Sequence, residues 1–308
     1  MKIIAFDSEC SRDIGLYCEL CMFGYAVADE SFNIEVSKQI FVNASKPTGR
    51  SKKFCRTDYS KFKNAPRYRV VRSQIESIFG KEDTILISHS PEITFRYLCC
   101  MDRREGLGPM RCNVLDIKTM VRNYADIPSY SLSAIAKLFG IPYDSKESNV
   151  DAKTCIRIFQ YLCKEENTDP VHLIEMCGKG AVVDSEVVYH STLLSFKKER
   201  LQKYYDGKMH HDGFLNGKVF SMAESFENQR IEIGFRIAEY VTSNGGKLTR
   251  KVSESSSFVW DGNIDSKRLE SANLMPDDAM SIISTDELFA MHNSEVNDGN
   301  QADSTHSD

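Results

Sequence analysis

The first half of the chain alternates short apolar runs with amphipathic stretches. Apolar runs bounded by turn-forming residues predict strands at 2–6, 21–28, 35–42, 84–88 and 114–117. Apolar residues at helical spacing predict helices over 70–79, from Ser90-Pro91 onward, over 131–139 and over 151–162. Residues 45–69 are rich in Lys, Arg, Ser and Pro, and we expect a loop there. Three successive strands, followed by strands that alternate with helices, predict an α/β fold with a sheet of mixed direction.

The second half carries a separate set of elements. Residues 195–212 are dense in Lys, His, Tyr and Asp with little periodicity, which indicates a domain boundary. Beyond it, the pattern predicts strands at 218–222, 248–252, 258–260 and 280–283 and helices at 230–243, 266–272 and 286–291. We therefore predict a first domain over 1–168, a helical or irregular linker over 169–210 and a second domain over 211–292. Residues 293–308 are polar and acidic without Lys or Arg, and are predicted to be disordered.

Composition narrows the class of protein. The 308 residues are 41% hydrophobic and 27% charged, which is typical of a soluble globular protein. The net charge of −5 argues against a general polyanion-binding surface, although the basic residues within 45–69 could meet phosphates or only water. No apolar run reaches the roughly 18–20 residues that a membrane span needs, so we expect no membrane partner.

The ten cysteines are scattered through apolar segments, and no secretory leader is visible. We therefore expect reduced thiols in a cytoplasmic protein. Cys18 and Cys21 form a Cys-x-x-Cys pair, but zinc would need a second pair at matched spacing, and a redox motif should open a helix. We interpret this pair as two half-buried strand cysteines.

Asp7 and Glu9 are candidate metal ligands. They stand two apart on the first predicted strand, so their side chains leave the same face. Two adjacent carboxylates repel each other, and a hard cation such as Mg²⁺ or Mn²⁺ would relieve that repulsion. Taken alone, an Asp-x-Glu pair also fits two solvated acids at the end of a strand.

Further motifs place these acids in a longer pattern over residues 1–165. The sequence reads Phe6-Asp7-Ser8-Glu9, then Ile87-Ser88-His89-Ser90 at a helix start, Tyr130-Ser131-Leu132, Gly140-Ile141 and Asp151-Ala152. Their order and spacing resemble the DEDD 3′–5′ exonucleases of the proofreading-subunit (DnaQ-like) type. The resemblance implies a ribonuclease-H-like mixed sheet with flanking helices. It also implies nucleic acid as the partner, DNA favoured over RNA, and Mg²⁺ or Mn²⁺ as cofactor.

The same resemblance gives roles to single residues. Asp7, Glu9 and Asp151 match the family acids that hold one metal ion and carry catalysis, while a second ion stabilises the leaving oxygen. His89, at a strand-to-helix junction, is expected to pack and hydrogen-bond. Asp116 is similar to a structural acid of the fold and receives no catalytic role.

Two positions depart from the family pattern. Thr94 stands where the family has the Asp that helps to hold the second metal ion, and a neutral hydroxyl is a poor Mg²⁺ ligand. Lys146 and Glu147 stand where the family has its general base, and a charged Lys146 cannot accept a proton at neutral pH. Glu92, Thr94 and Lys146 are the candidates to act in place of the missing groups.

Residues 211–292 resemble a BRCT domain. The resemblance rests on the segments 215–220, 245–246, 258–260 and 282–289. It implies a small α/β domain with a parallel sheet that docks a protein partner. Some BRCT domains bind phosphate, and Ser221 and Lys267 could fill those roles. Because Met222 stands in place of the usual Gly after Ser221, docking without a phosphate pocket is favoured.

The sequence thus leaves two functions open. The favoured one is a metal-dependent 3′–5′ exonuclease-family protein that acts on nucleic acid in DNA metabolism and docks through its BRCT-like domain. The alternative is a non-catalytic nucleic-acid-binding or adaptor protein built on the same folds.

Overall fold

The chain divides into two units, Met1–Leu193 and Leu194–Asp308. The computed structural model describes residues 1–14, 17–48, 55, 57–80, 83–144, 147–207, 211–262, 267–276 and 278–291. The acidic tail predicted at 293–308 lies outside these described residues. Among the described helices, none is long and apolar enough to cross a bilayer.

A six-stranded sheet forms the centre of the first unit. Its strands are β1 Lys2–Ile14, β2 Tyr17–Asp29, β3 Ile34–Phe41, β4 Thr84–Ser88, β5 Asn113–Asp116 and β6 Val182–Asp184, in the order β3-β2-β1-β4-β5-β6. β1, β2 and β3 pair antiparallel, β4 and β5 run parallel to β1, and β6 returns antiparallel to β5. The prediction of an α/β fold with a mixed sheet is confirmed.

β1 and β2 are longer than their sequence pattern indicated. The apolar run stops at Phe6, where Asp7 and Glu9 begin to interrupt it, but backbone pairing with β2 continues to Ile14. Register shifts on both sides of Cys10 mark bulges in β1. The two acids therefore lie inside a strand and not at its end.

Helices cover both faces of this sheet. The helices that begin in this unit are α1 Tyr59–Lys63, α2 Tyr68–Phe79, α3 Pro91–Glu105, α4 Ile117–Tyr124, α5 Leu132–Leu138, α6 Ser148–Glu165, α7 Pro170–Cys177 and α8 Ser185–Tyr205. The helices predicted in the first half correspond to α2, α3, α5 and α6. The loop predicted over 45–69 is wrong at α1, where Asp58 caps the helix by accepting a hydrogen bond from the Ser60 amide and Phe62 is buried.

Alternation along β1 separates two cores. The Phe6 ring centroid lies 4.8 Å from that of Phe79 in α2 and 6.1 Å from that of Phe95 in α3. Ile3 and Ala5 point to the other face and join a core with residues of α6. The side chains at positions 7 and 9 therefore face α6, whereas the side chain at position 8 faces α3.

Residues 169–193, predicted as part of a linker, contain α7, β6 and the start of α8. Ser185 fixes the end of β6, because its hydroxyl donates to the Met110 carbonyl at 2.6 Å and accepts from the Cys112 amide at 2.9 Å. β6 is three residues long and mostly exposed, so its pattern was too short to indicate a strand. The domain bounds at 168 and 211 stay predictions.

The second unit is built on a four-stranded parallel sheet. Its elements are β7 Val219–Met222, α9 Glu224–Asn228, α10 Ile231–Ser243, β8 Lys247–Leu248, β9 Ser257–Val259, α11 Lys267–Asn273, β10 Ser281–Ile283 and α12 at 285–291, with the strand order β10-β9-β7-β8. The strand predicted at 248–252 is shorter, because Val252–Glu254 forms a 3-10 turn. Gly245 has a φ of +93°, and a Cβ there would lie 2.3 Å from Asn216 Oδ1, so this turn requires glycine.

Candidate metal centre and its cleft

Three acids predicted from the sequence meet in the first unit. Asp7 and Glu9 leave the same face of β1, and Asp151 comes from the first turns of α6, which packs on that face. One carboxylate oxygen from each of the three lies within 4.8 Å of the other two. We call Asp7, Glu9 and Asp151 the acid trio. Three carboxylates at this spacing are a ligand set suited to a hard divalent cation.

Gly24 allows α6 to approach the strand that carries the acids. It pairs with Asp7 across β1 and β2. A Cβ at Gly24 would lie 2.2 Å from the Asn149 amide nitrogen and 2.3 Å from Ser148 Oγ, far inside contact distance. Sequence reasoning missed this residue, although an isolated glycine inside a strand pattern is a signal for close backbone approach.

The acid trio is electrostatically strained. Burial raises the pKa of Asp7 well above its ordinary value, and the negative charges of Asp151 and Glu9 raise it further. Burial also raises the pKa of Glu9 to about 7, with added contributions from the Cys55 sulfur and Asp151. A divalent cation would favour the ionised carboxylates and remove this strain, so the donor set fits the Mg²⁺ or Mn²⁺ implied by the sequence.

The acid trio lines one side of a cleft of about 740 Å³. Lys118 and Arg122 of α4 line it as well, together with the aromatic side chains of Tyr130 and Tyr143. The Arg122 guanidinium lies 5.0 Å from the centre of the Tyr130 ring. The cleft thus combines carboxylates, cations and aromatic rings. Lys118 and Arg122 could not be predicted as cleft residues, because cations on an amphipathic helix usually mark a solvated face.

Thr94 is a residue of α3, and its hydroxyl is hydrogen-bonded to Ser8 in β1. The side chain is 2% exposed, and Thr94 Oγ1 lies 2.7 Å from Ser8 Oγ. Glu92 is exposed on α3 and does not belong to the carboxylate cluster found among the described residues. Lys146 lies outside the described residues. Glu147 directly precedes α6 as its N-cap residue and makes no side-chain capping bond.

His89, Ser90 and Asp116 build the turn between β4 and α3. His89 Nε2 donates to the Tyr130 carbonyl at 2.8 Å, and burial lowers the pKa of His89. Ser90, at the predicted helix start, is the N-cap residue of α3, has a left-handed φ of +59° and makes no side-chain capping bond. Asp116 holds this strained residue by accepting from the Ser90 amide at 2.9 Å and also accepts from the Thr119 hydroxyl at 2.7 Å. These contacts agree with the structural roles expected for His89 and Asp116.

The structure does not join Ser221 and Lys267 in an open phosphate pocket. Ser221 is completely buried in β7, and its Oγ lies 2.8 Å from Ser255 Oγ. Lys267 is exposed at the start of α11. Because the Ser221 hydroxyl is in the core and already has a partner, it is not accessible to a bound phosphate.

No protein-family model matches the sequence, and no curated protein matches it at a significant level. Among solved structures, the chain is similar to cell-death related nuclease 4, at 15% identity and a TM-score of 0.47 over 53% of this chain and 64% of that one. It is similar to the nuclease domain of 3′hExo, a DEDDh family member, at 15% identity and a TM-score of 0.45 over 54% and 91% of the two chains.

A third similar structure is E. coli exonuclease I in complex with an oligonucleotide, at 14% identity and a TM-score of 0.48. This match covers 56% of the present chain but only 42% of exonuclease I. The chain thus spans less than two thirds of cell-death related nuclease 4 and less than half of exonuclease I. All three of these similar proteins are nucleases. Each match covers little more than half of the present chain.

Proposed function

We propose that the first unit is a metal-dependent 3′–5′ exonuclease-family nuclease. The observation that carries this proposal is the acid trio, with three carboxylates within 4.8 Å of one another at the wall of an open cleft. A divalent cation bound there would activate water and offset charge on a scissile phosphate. Asp7, Glu9 and Asp151 would hold the cation, and Gly24 would keep α6 close enough for Asp151 to take part.

The same cleft suits a nucleic-acid strand. Lys118 and Arg122 supply positive charge for backbone phosphates, and Tyr130 and Tyr143 offer ring faces for bases. A single strand is the better fit, because stacking on side-chain rings needs bases that are free of a duplex. DNA is the substrate proposed first, since the second unit resembles a module of DNA metabolism.

The turnover of this nuclease is proposed to be slow. Thr94 contacts Ser8 and offers no charge for a second metal ion. A general base is typically worth about 10²–10⁴-fold in rate, and the residue pair at the family position of that base is Lys146-Glu147. These same features favour the second candidate, a protein that binds nucleic acid without cutting it.

The second unit is proposed to be a BRCT-like docking module for a protein partner. Its small parallel sheet and the glycine turn at Gly245 support this proposal. The buried Ser221 favours docking without phosphate recognition. A reducing, cytoplasmic setting is proposed because the ten cysteines are scattered through apolar segments of the sequence.

Digestion of a 3′-labelled single-stranded DNA oligonucleotide with Mn²⁺ tests the nuclease. Wild type and a Glu92→Gln control should release mononucleotides from the 3′ end, whereas Asp7→Ala should lose at least about 10³-fold in rate, since metal stabilisation of a transition state is worth several kcal/mol. Glu92 is the matched control because it is an exposed acid outside the trio.

Equal rates for wild type and Asp7→Ala would refute the nuclease. If neither protein cuts, fluorescence anisotropy with the same oligonucleotide decides the alternative. Saturable binding that weakens in Arg122→Ala would support the non-catalytic binding protein. Absence of binding would contradict both functions.

A further inference from the structure

Two thiols meet beside the acid trio. Cys21 lies in β2 and is completely buried, while Cys55 is 6% exposed. Their sulfur atoms are 3.6 Å apart, and both side chains belong to a small core with Phe62. A disulfide bond needs about 2.05 Å between sulfurs, so side-chain rotations that bring them about 1.5 Å closer would form one.

Cys55 lines a surface cavity of about 520 Å³, together with Lys46, Thr57 and Tyr59. A small oxidant can therefore reach Cys55 from this cavity, and Cys21 stands behind it as a second thiol. An accessible cysteine next to a second thiol is the arrangement typical of reversible oxidation sites.

Cys21 also contacts the metal centre through the backbone. Its thiol donates to the carbonyl oxygen of Glu9 at 3.3 Å, next to the bulge in β1. That hydrogen bond helps to hold the segment that carries the Glu9 carboxylate. It exists only while Cys21 keeps its S–H, so oxidation of Cys21 removes it.

We propose that Cys21 and Cys55 are a peroxide-oxidised disulfide site that weakens metal binding at the acid trio. The effect on metal binding rests on the proposed metal centre, whereas formation of the disulfide does not.

The chemistry needs one molecule of hydrogen peroxide. The Cys55 sulfur attacks one peroxide oxygen, the O–O bond breaks, and the departing hydroxide takes the thiol proton as water. The Cys21 sulfur then attacks the resulting sulfenic acid, the S–S bond forms, the S–O bond breaks, and the second hydroxide leaves as water with the Cys21 proton. Each sulfur is oxidised by one electron and each peroxide oxygen is reduced by one.

The test uses the full chain with hydrogen peroxide, followed by alkylation of remaining thiols, proteolysis and mass spectrometry. Wild type should yield a peptide pair linked through Cys21 and Cys55, which dithiothreitol separates. In calorimetry, peroxide-treated wild type should bind Mn²⁺ about tenfold more weakly, the loss expected when a partner that orients a metal ligand is removed. Cys55→Ser should show neither effect, and Cys177→Ser, distant in α7, should behave as wild type.

The outcomes test separately the formation of the disulfide and its effect on metal binding. Full alkylation of Cys21 and Cys55 after peroxide treatment overturns the disulfide, whatever the metal data show. A linked peptide with unchanged Mn²⁺ affinity overturns its effect on the metal centre. If reduced wild type binds no Mn²⁺ at all, the proposed metal centre fails and the effect fails with it, while the linked peptide still decides the disulfide.

Discussion

Two carboxylate sites in this chain have opposite electrostatic surroundings. Glu227 in the second unit accepts hydrogen bonds from Arg268 at 2.9 Å, from Arg250 at 3.0 Å and from the Tyr205 hydroxyl. Burial opposes its ionisation, yet these donors hold the pKa of Glu227 below its ordinary value. In the first unit, burial and neighbouring acids raise the pKa of Asp7 and Glu9.

This difference separates a carboxylate that already has cationic partners from the carboxylates that we propose as metal ligands. Neither Asp7 nor Glu9 forms an ion pair with Lys or Arg anywhere in the described ranges. The Glu227 network is complete without any added ion, because its negative charge already faces two guanidinium groups. The raised pKa values of Asp7 and Glu9 are those expected of carboxylates that a bound cation would ionise, and perturbed carboxylates in a cleft are typical of functional sites.

The largest expected effect on stability is at Glu227. Glu227→Ala leaves Arg268 and Tyr205 without their shared acceptor, and we expect a loss of about 3–5 kcal/mol in the free energy of unfolding. Urea denaturation measures this change. The control is Glu232→Ala, which removes an exposed ion pair with Lys197 and should cost less than about 1 kcal/mol. Equal losses in the two variants would show that the Glu227 network is not structural.

Replacing Glu9 should raise the stability of the metal-free protein at pH 8, whereas replacing Glu227 lowers stability. Its pKa in the folded chain is about 7, raised from an ordinary 4.5, so the folded state binds its proton more tightly than the unfolded state. The stability gained from this proton is fully present below pH 4.5, decreases as the pH rises toward 7 and is absent above that. Without metal, Glu9→Gln should therefore be more stable than wild type at pH 8 by up to about 3 kcal/mol.

Thermal unfolding across this pH range checks the effect. The advantage of Glu9→Gln should shrink at pH 5 and disappear when Mn²⁺ is added to both proteins at pH 8. The control is Glu92→Gln, which changes an exposed carboxyl outside the trio and should have the stability of wild type at pH 8. If Glu9→Gln is less stable than wild type at pH 8 without metal, the ionised Glu9 carboxylate does not destabilise the metal-free protein.

Gly24 tests whether the position of α6 supports the trio. Gly24→Ala places a methyl group against the Ser148–Asn149 backbone, and we expect a loss of about 1–3 kcal/mol in stability. Mn²⁺ affinity should fall as well, because Asp151 moves with α6. Gly108→Ala is the control, since a Cβ at Gly108 meets no atom within 4 Å. Calorimetry with Mn²⁺ on both variants gives the answer, and unchanged affinity in Gly24→Ala would refute the role of this contact.

The three acids could be predicted from the sequence because both their residue type and their spacing match a metal site. Asp7 and Glu9 share a strand face, and Asp151 opens a helix at the distance implied by the resemblance, so all three were predicted before their proximity was known. Gly24 was missed because its need for glycine depends on α6, which lies more than a hundred residues later. The burial of Ser221 was also hidden, because its partner Ser255 comes from a distant turn.

The smallest effect is expected at Thr94. Thr94→Val removes the hydrogen bond to Ser8 and should lower stability by about 1 kcal/mol. Thr94→Ser keeps a hydroxyl and should retain most of the stability. Mn²⁺ affinity should not change in either variant, because Thr94 lies on the α3 side of β1. A clear loss of affinity in Thr94→Val alone would show that the hydroxyl acts as a metal ligand.

The most direct test is calorimetric titration of Mn²⁺ into metal-free wild type, Asp7→Asn and Glu92→Gln at pH 8. We predict saturable binding to wild type and to Glu92→Gln, and no measurable binding to Asp7→Asn. Binding to Asp7→Asn with the affinity of wild type, or no binding to wild type, would contradict the acid trio as a metal centre.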